Sequence, residues 1–277
     1  MGETMRLNGV NLYFERHGEH GRTDRPPLVL IHGYLSSCFS FRRLIPHLRN
    51  DYPIFALDLP GFGRSEKSPA FHYSLENYGK LVLDFLRAHD IKEAVLIGHS
   101  MGGQIALQAA YQDATRVLKV VGLAAAGYMG RVRRSLVMLS YTPFFHRLLK
   151  LYFAKKDVMA EFLSVTHDRS IITQEMMDGY LEPLKETAFY RSLVRLMRHR
   201  EGDLPPAALH RIQTPVLLIW GDKDRIVPPD IGLRFVRDLP NAELIVFENV
   251  GHLIPEERPE ETAARIRAFL ESNEPAR

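Results

Sequence analysis

Ala94-Val95-Leu96-Ile97-Gly98-His99-Ser100-Met101-Gly102-Gly103-Gln104-Ile105-Ala106-Leu107 is the stretch that decides how this chain reads. Its first four residues are apolar and rich in strand formers. From Gly103 to Tyr111, Ala, Leu and Gln dominate, which predicts a helix. A serine flanked by glycines thus sits on a sharp turn from strand to helix, the context that a Gly-x-Ser-x-Gly nucleophile requires. Strand and helix pass close together at such a turn, so side chains at Gly98 and Gly102 would collide with them. The strained turn lifts the Ser100 hydroxyl above the sheet edge. It also leaves the Met101 amide at the helix N-terminus, pointing toward any oxygen bound beside Ser100.

On either side of this turn, strands and helices alternate. Met5 to Arg16 reads as a hairpin around Asn8-Gly9. Leu28–Ile31, Ile54–Leu57, Val117–Leu123, Pro215–Trp220 and Glu243–Phe247 read as strands. Helices are expected from about Ser40 to Leu48, Tyr73 to Ala88, Ile231 to Asp238 and Pro259 to Leu270, with an unpacked tail at Asn273–Arg277. This pattern implies a mostly parallel sheet with helices on both faces. Alternation stops at Ala124-Ala125-Ala126-Gly127. From there to Pro205-Pro206 only helical segments are expected, at 131–141, 144–156, 158–165, 174–184 and 188–198. That is too long for a loop, so 127–206 is expected to be an inserted helical cap on a core made of 1–126 and 207–277.

Composition limits the function. Of 277 residues, 45% are apolar and 25% charged, ordinary for a chain that can bury a core without staples. The net charge of +3, with no basic tail and no zinc-type Cys/His spacing, gives no case for nucleic acid, and neither a cofactor nor a metal is expected. The single cysteine, Cys38, cannot form an internal disulfide and reads as a small loop residue. With no apolar leader pattern after Met1 and no run of about 18 apolar residues, a cytoplasmic location is expected.

Ser100 needs a base and a group that orients the base. Ligands bind beyond the carboxyl ends of parallel strands, so strand ends are where to look. Gly221-Asp222-Lys223-Asp224 follows one strand and Gly251-His252 follows the last, both on the rim that carries Ser100. The order Ser, Asp, His suits this class of sheet. His252 is the expected base, since it follows a glycine after the last strand and no histidine lies downstream. His99 is expected to point away from the hydroxyl, and His32 to brace the loop before Gly33. Two acids are open. Asp222 could cap the turn at the strand exit, whereas Asp224 lies where the loop has left the sheet. Leu123–Gly127 offers no carboxylate.

The chain resembles the α/β-hydrolase superfamily, in its capped esterase and lipase-like branch. The resemblance rests on His32-Gly33-Tyr34, Asp58-Leu59-Pro60-Gly61-Phe62-Gly63-Arg64-Ser65, Gly98–Gly103, Gly221–Asp224 and Gly251-His252. It implies an α/β-hydrolase fold covering nearly the whole chain and an oxyanion hole formed by the Tyr34 and Met101 amides. The family spacing Gly-x-x-Asp-x-x-x-Pro matches Gly221, Asp224 and Pro228, and so favours Asp224 as the acid. Departures narrow the chemistry. Dehalogenase- and epoxide-hydrolase-like members carry aspartate where Ser100 stands. Hydrolases of diketo acids usually show a Gly-Pro-Gly-rich loop and a Trp after the histidine, where this chain has Tyr34-Leu35-Ser36-Ser37 and Leu253. Iminopeptidase-like members tend to have Trp-Gly after the serine, where this chain has Met101-Gly102.

The expected activity is therefore hydrolysis of a small carboxylic ester with an apolar short- to medium-chain acyl group, through an acyl-enzyme on Ser100. Carbon–carbon hydrolysis of diketo acids, perhydrolase or haloperoxidase chemistry, and a non-catalytic receptor on the same fold are the alternatives. In the expected cap, Phe144, Phe145, Leu148, Leu149 and Tyr152 share a helical face beside Arg147, Lys150, Lys155 and Lys156. That face is expected to pack over the rim and line an acyl pocket. Weak docking on anionic lipid is the sharper alternative.

Overall fold

Residues 2–18 and 25–272 are described by a computed structural model. The tail expected at Asn273–Arg277 lies outside the described residues. Strands β1 (Gly2–Leu7) and β2 (Val10–His17) form the predicted hairpin. Asn8 and Gly9 both take positive φ, 51° and 80°, as a type I′ turn demands. The remaining strands are β3 (Leu28–Ile31), β4 (Ile54–Leu57), β5 (Ala94–His99), β6 (Val117–Leu123), β7 (Val216–Gly221) and β8 (Ala242–Phe247). They join one eight-stranded sheet in the order β1-β2-β4-β3-β5-β6-β7-β8. The hairpin is antiparallel to β4, and every pair from β4 to β8 is parallel. β3, β4, β5 and β7 are buried at every residue, which explains their unbroken apolar runs.

The helices in chain order are α1 (Ile45–Leu48), α2 (Leu75–Ala88), α3 (Met101–Gln112), α4 (Arg134–Leu139), α5 (Phe145–Ala154), α6 (Val158–Val165), α7 (Gln174–Leu181), α8 (Thr187–His199), α9 (Pro206–Leu209), α10 (Asp230–Asp238), α11 (Ile254–Glu257) and α12 (Pro259–Glu271). Helix α2 starts at Ser74, whose hydroxyl accepts from the Asn77 amide at 3.1 Å. Its Tyr78, Leu81, Val82, Phe85 and Leu86 are buried against the sheet. Each such side chain contributes about 1.5–3 kcal/mol. Among the described residues, no helix is long and apolar enough to cross a membrane.

Two local expectations were wrong. The helix from Ser40 to Leu48 is instead a 3-10 turn, Cys38–Phe41, followed by the single turn α1. Pro46 has no N–H to donate backward, so one continuous helix could not form there. The segment 131–141 is helical only over α4, and Phe144 then takes a left-handed φ of 61° before α5 begins. Between β6 and β7 the chain forms α4 to α9 and no strand.

Candidate active site

Ser100 sits between β5 and α3 with φ 53° and ψ −118°, a conformation that an L-residue keeps only when its surroundings force it. The surroundings are tight. A Cβ on Gly98 would overlap the Gly102 carbonyl, and one on Gly102 would overlap the Ile31 carbonyl of β3. The turn is tied to β6, since the Ser100 amide donates to Leu123 O at 2.9 Å and Ser100 O accepts from Ala126 N at 2.9 Å. Strain and anchoring together hold the hydroxyl at the rim.

Asp224 and His252 come together from the exits of β7 and β8. His252 Nδ1 lies 2.7 Å from Asp224 Oδ2, and both side chains are almost fully buried. The other carboxylate oxygen, Oδ1, accepts from the Ile226 and Val227 amides at 2.8 and 2.9 Å. With every Asp224 partner a donor, the proton of the pair belongs on His252 Nδ1. That leaves the Nε2 lone pair free. Asp222 turns elsewhere. It takes Lys223 Nζ at 2.6 Å and the Val250 amide at 3.3 Å, so it braces the loop after β8 rather than capping its own turn.

The expected oxyanion donors are both backbone amides without a helical or strand partner. Met101 opens α3, so its amide has no intrahelical acceptor. The Tyr34 amide follows Gly33, and it donates to no acceptor among the described residues. Gly33 packs directly on the elbow: a Cβ there would stand 3.0 Å from Ser100 Cβ and 3.2 Å from His99 O. His32 holds this loop from beneath. Its Nδ1 meets Gly33 O at 2.7 Å and its Nε2 accepts from the Leu59 amide at 3.0 Å. Burial lowers the His32 pKa and favours this neutral, bracing form.

Ser100 and His252 open into one cavity of about 340 Å³. Its apolar walls include Leu35, Phe153, Phe162, Leu181, Leu184 and Leu253, drawn from the core, from α5 to α7 and from the 3-10 turn after α7. Among the described residues, Lys156 is the one Lys or Arg on these walls, and it is paired with Glu161 at 2.7 Å. A larger cleft of about 1030 Å³ runs past Arg42, Arg64, Glu175 and Glu182, but neither Ser100 nor His252 reaches it. Chemistry therefore points to the smaller space. Among the described residues, no three His, Cys, Asp or Glu side chains converge as a metal site would need.

The family model described as the alpha/beta hydrolase fold matches residues 26–259. The chain belongs to the α/β-hydrolase family. It is 47% identical to a hydrolase of Bacillus subtilis (strain 168) named YugF, over 95% of this chain and 96% of that one. It is 30% identical to a 2-hydroxy-6-oxononadienedioate/2-hydroxy-6-oxononatrienedioate hydrolase of Burkholderia vietnamiensis (strain G4 / LMG 22486), covering 90% of this chain and 88% of the relative. A solved structure described as a membrane phospholipase A superposes with a TM-score of 0.78 at 26% identity, over 98% of this chain and 85% of the other. Family and relatives together support hydrolase chemistry, with the bond cleaved left to the site itself.

Three further side chains of this α/β hydrolase support the site, and two of them, Glu256 and Glu257, did not stand out in the sequence. Glu257 accepts from the Gly251 amide at 2.9 Å through one oxygen, and from the His167 and Asp168 amides at 2.9 Å through the other. It clamps the His252 loop to the end of α6, where the His252 amide also donates to Val165 O at 2.8 Å. His99 Nε2 donates to the His252 carbonyl at 2.9 Å. Burial, with His252 beside it, pushes the His99 pKa down to about 3. Glu256, fully buried, pairs with Arg42 and accepts from Tyr180 Oη at 3.2 Å. Burial pushes Glu256 up to about 6, against the pull of Arg42. Consecutive glutamates at a helix start look like a solvated face, so only the fold reveals these roles.

One expectation about the pocket needs correction. Phe144, Phe145, Leu148, Leu149 and Tyr152 do not form one packed face. Phe145 and Leu149 are half-buried, while Phe144, Leu148 and Tyr152 are exposed. From α5, the cavity is walled by Phe153 alone, with Lys156 just beyond its end. Helix α5 packs on α8 with Leu149 and Phe153 turned toward the core cluster, an orientation different from the one expected.

Proposed function

We propose that this hydrolase cleaves carboxylic esters with apolar, short- to medium-chain acyl groups. Residues 127–206 act as a cap over a core made of 1–126 and 207–277. The observation that carries this reading is the Asp224–His252 pair, which opens with Ser100 into an apolar-walled cavity whose cation is already neutralised. Ser100 Oγ attacks the ester carbonyl carbon and its proton passes to His252 Nε2. Asp224 holds the imidazole tautomer and stabilises the imidazolium. The Tyr34 and Met101 amides hold the developing oxyanion. Collapse of the tetrahedral intermediate expels the alkoxide, which takes the proton from His252. Water, deprotonated by the same histidine, then releases the acid and restores Ser100. The cavity volume lies at the lower end for ligand pockets, which supports small acyl groups.

Turnover of p-nitrophenyl acetate through octanoate tests this reading against a Ser100→Ala control. Equal rates for wild type and control on every ester would sink it. Carbon–carbon hydrolysis of a diketo acid is the second reading, supported by the Burkholderia relative. Against it stands the cavity, which has no unpaired cation on its walls to meet a substrate carboxylate. Loss of the yellow colour of a diketo acid, with no ester turnover, would reverse the preference.

A further inference from the structure

Residues 127–156 carry seven Arg and Lys and no Asp or Glu, while the rest of the chain holds more acidic than basic residues. The protein's whole positive excess is therefore concentrated here. The same stretch exposes Leu136, Met138, Leu139, Tyr141, Phe144, Leu148, Leu151 and Tyr152. No residue of α4 or α5 is fully buried. Packing does not account for these apolar side chains. Helix α5 turns Leu149 and Phe153 toward the protein and presents Leu148, Leu151 and Tyr152 on its other side. Cations are interleaved with the apolar groups: Arg147 lies over the Phe144 ring at 4.6 Å and Lys156 over Tyr152 at 5.5 Å, and Arg133, Arg134 and Lys155 are exposed.

We propose that α4 and α5 form a docking surface for an anionic phospholipid bilayer. A polybasic, apolar helical face is what a negatively charged membrane surface attracts and partly buries. A second copy of the chain fits poorly, since a two-fold contact would set one cationic face against another. A nucleic acid would use the cations but would leave the exposed Leu and Met side chains without a role. Because α5 also walls the cavity through Phe153, docking sets the mouth of the site at the membrane interface. That amphiphilic esters then enter from the bilayer rests on the esterase reading above.

Vesicle sedimentation of the full chain at low salt tests the proposal, with phosphatidylcholine vesicles and with vesicles containing phosphatidylglycerol. Binding is expected only to the anionic vesicles. Each cation near such a surface contributes roughly fivefold, so Arg133→Gln/Arg134→Gln/Lys155→Gln should weaken partitioning about a hundredfold. Leu148→Gln/Leu151→Gln should weaken it as well. No wild-type binding to anionic vesicles overturns the proposal, as does undiminished binding by the triple variant. Undiminished binding by the double Leu variant would reduce the surface to a general polyanion site and also overturn it. A dimer seen by light scattering and abolished by the Leu variant would assign the face to a second copy instead. Turnover of p-nitrophenyl butyrate, read in parallel, should be unchanged in both variants. Its absence in wild type would sink the ester reading while the sedimentation result stands.

Discussion

The rim that carries Ser100 and the helical stretch from α4 to α5 are built on opposite principles. At the rim the two carboxylates that hold the His252 loop are fully partnered. Asp224 has three partners, Glu257 has three, and Ser100 is held in a strained conformation by strands on both sides. On α4 and α5 the side chains are largely exposed, and few contacts dictate their positions. The difference separates precision from adaptability. A site that moves protons must be preorganised, whereas a surface that meets a soft partner needs only composition and charge.

The largest effects should therefore come from the rim. Ser100→Ala should lower kcat by about a millionfold, following the known loss for a triad serine, with thermal stability nearly unchanged, because Ala keeps the Cβ and the strained backbone. Steady-state kinetics and a melting curve on the same sample check both halves. Asp224→Asn should lose on the order of 10⁴ in kcat, because an amide cannot fix the His252 tautomer. Asp222→Asn should stay within about tenfold of wild type, since its partners are Lys223 and the Val250 amide. A nearly active Asp224→Asn beside a folded, inactive Asp222→Asn would reverse the assignment.

Glu257 tests whether the rim depends on its tie to the end of α6. Glu257→Ala leaves the Gly251, His167 and Asp168 amides without their acceptor, which should cost about 3 kcal/mol of stability. Activity should fall too, as the His252 loop loses its tie to α6, and Glu257→Gln should recover part of both. Urea denaturation with kinetics at one temperature checks it. Unchanged stability in Glu257→Ala would show that the clamp is not needed.

How much of this was legible follows the same division. The glycines at 98 and 102, the strand runs and the placing of Ser100, an acid at 222 or 224 and His252 at strand exits could be read because sterics and topology leave few alternatives, while the choice of Asp224 came from the family spacing. Glu256 and Glu257 could not be. Their meaning depends on Arg42, Tyr180 and the end of α6, all far away in sequence. The helices between β6 and β7 were legible as helices, but the orientation of α5 was not. Apolar residues occur on both its sides, so periodicity alone does not choose the buried one.

A smaller effect should appear in the acid limb of stability. The folded-state pKa of His99 is pushed down to about 3 from an ordinary 6.5. Below that ordinary value the unfolded chain binds a proton that the folded chain refuses, so stability is lost as pH falls. Between pH 7 and 5 the loss from this one group is about 2 kcal/mol. His99→Gln keeps an amide donor for the His252 carbonyl but does not titrate. Its urea-derived stability should fall less over that range, by about the same 2 kcal/mol. Parallel curves for variant and wild type would show that His99 titrates normally.

The smallest effect is predicted for the exposed side of α5, and it sharpens the contrast within one helix. Leu148 and Leu151 are exposed, so replacing both with Gln removes almost no buried area and should change unfolding free energy by less than about 0.5 kcal/mol. Leu149 is one residue away but faces the core cluster. Leu149→Gln puts an amide among apolar neighbours and should cost about 2 kcal/mol. Thermal melts of the two variants decide the matter. A marked loss in Leu148→Gln/Leu151→Gln would mean that something in the protein already covers that face. Stability close to wild type would mean that nothing in the folded chain covers it.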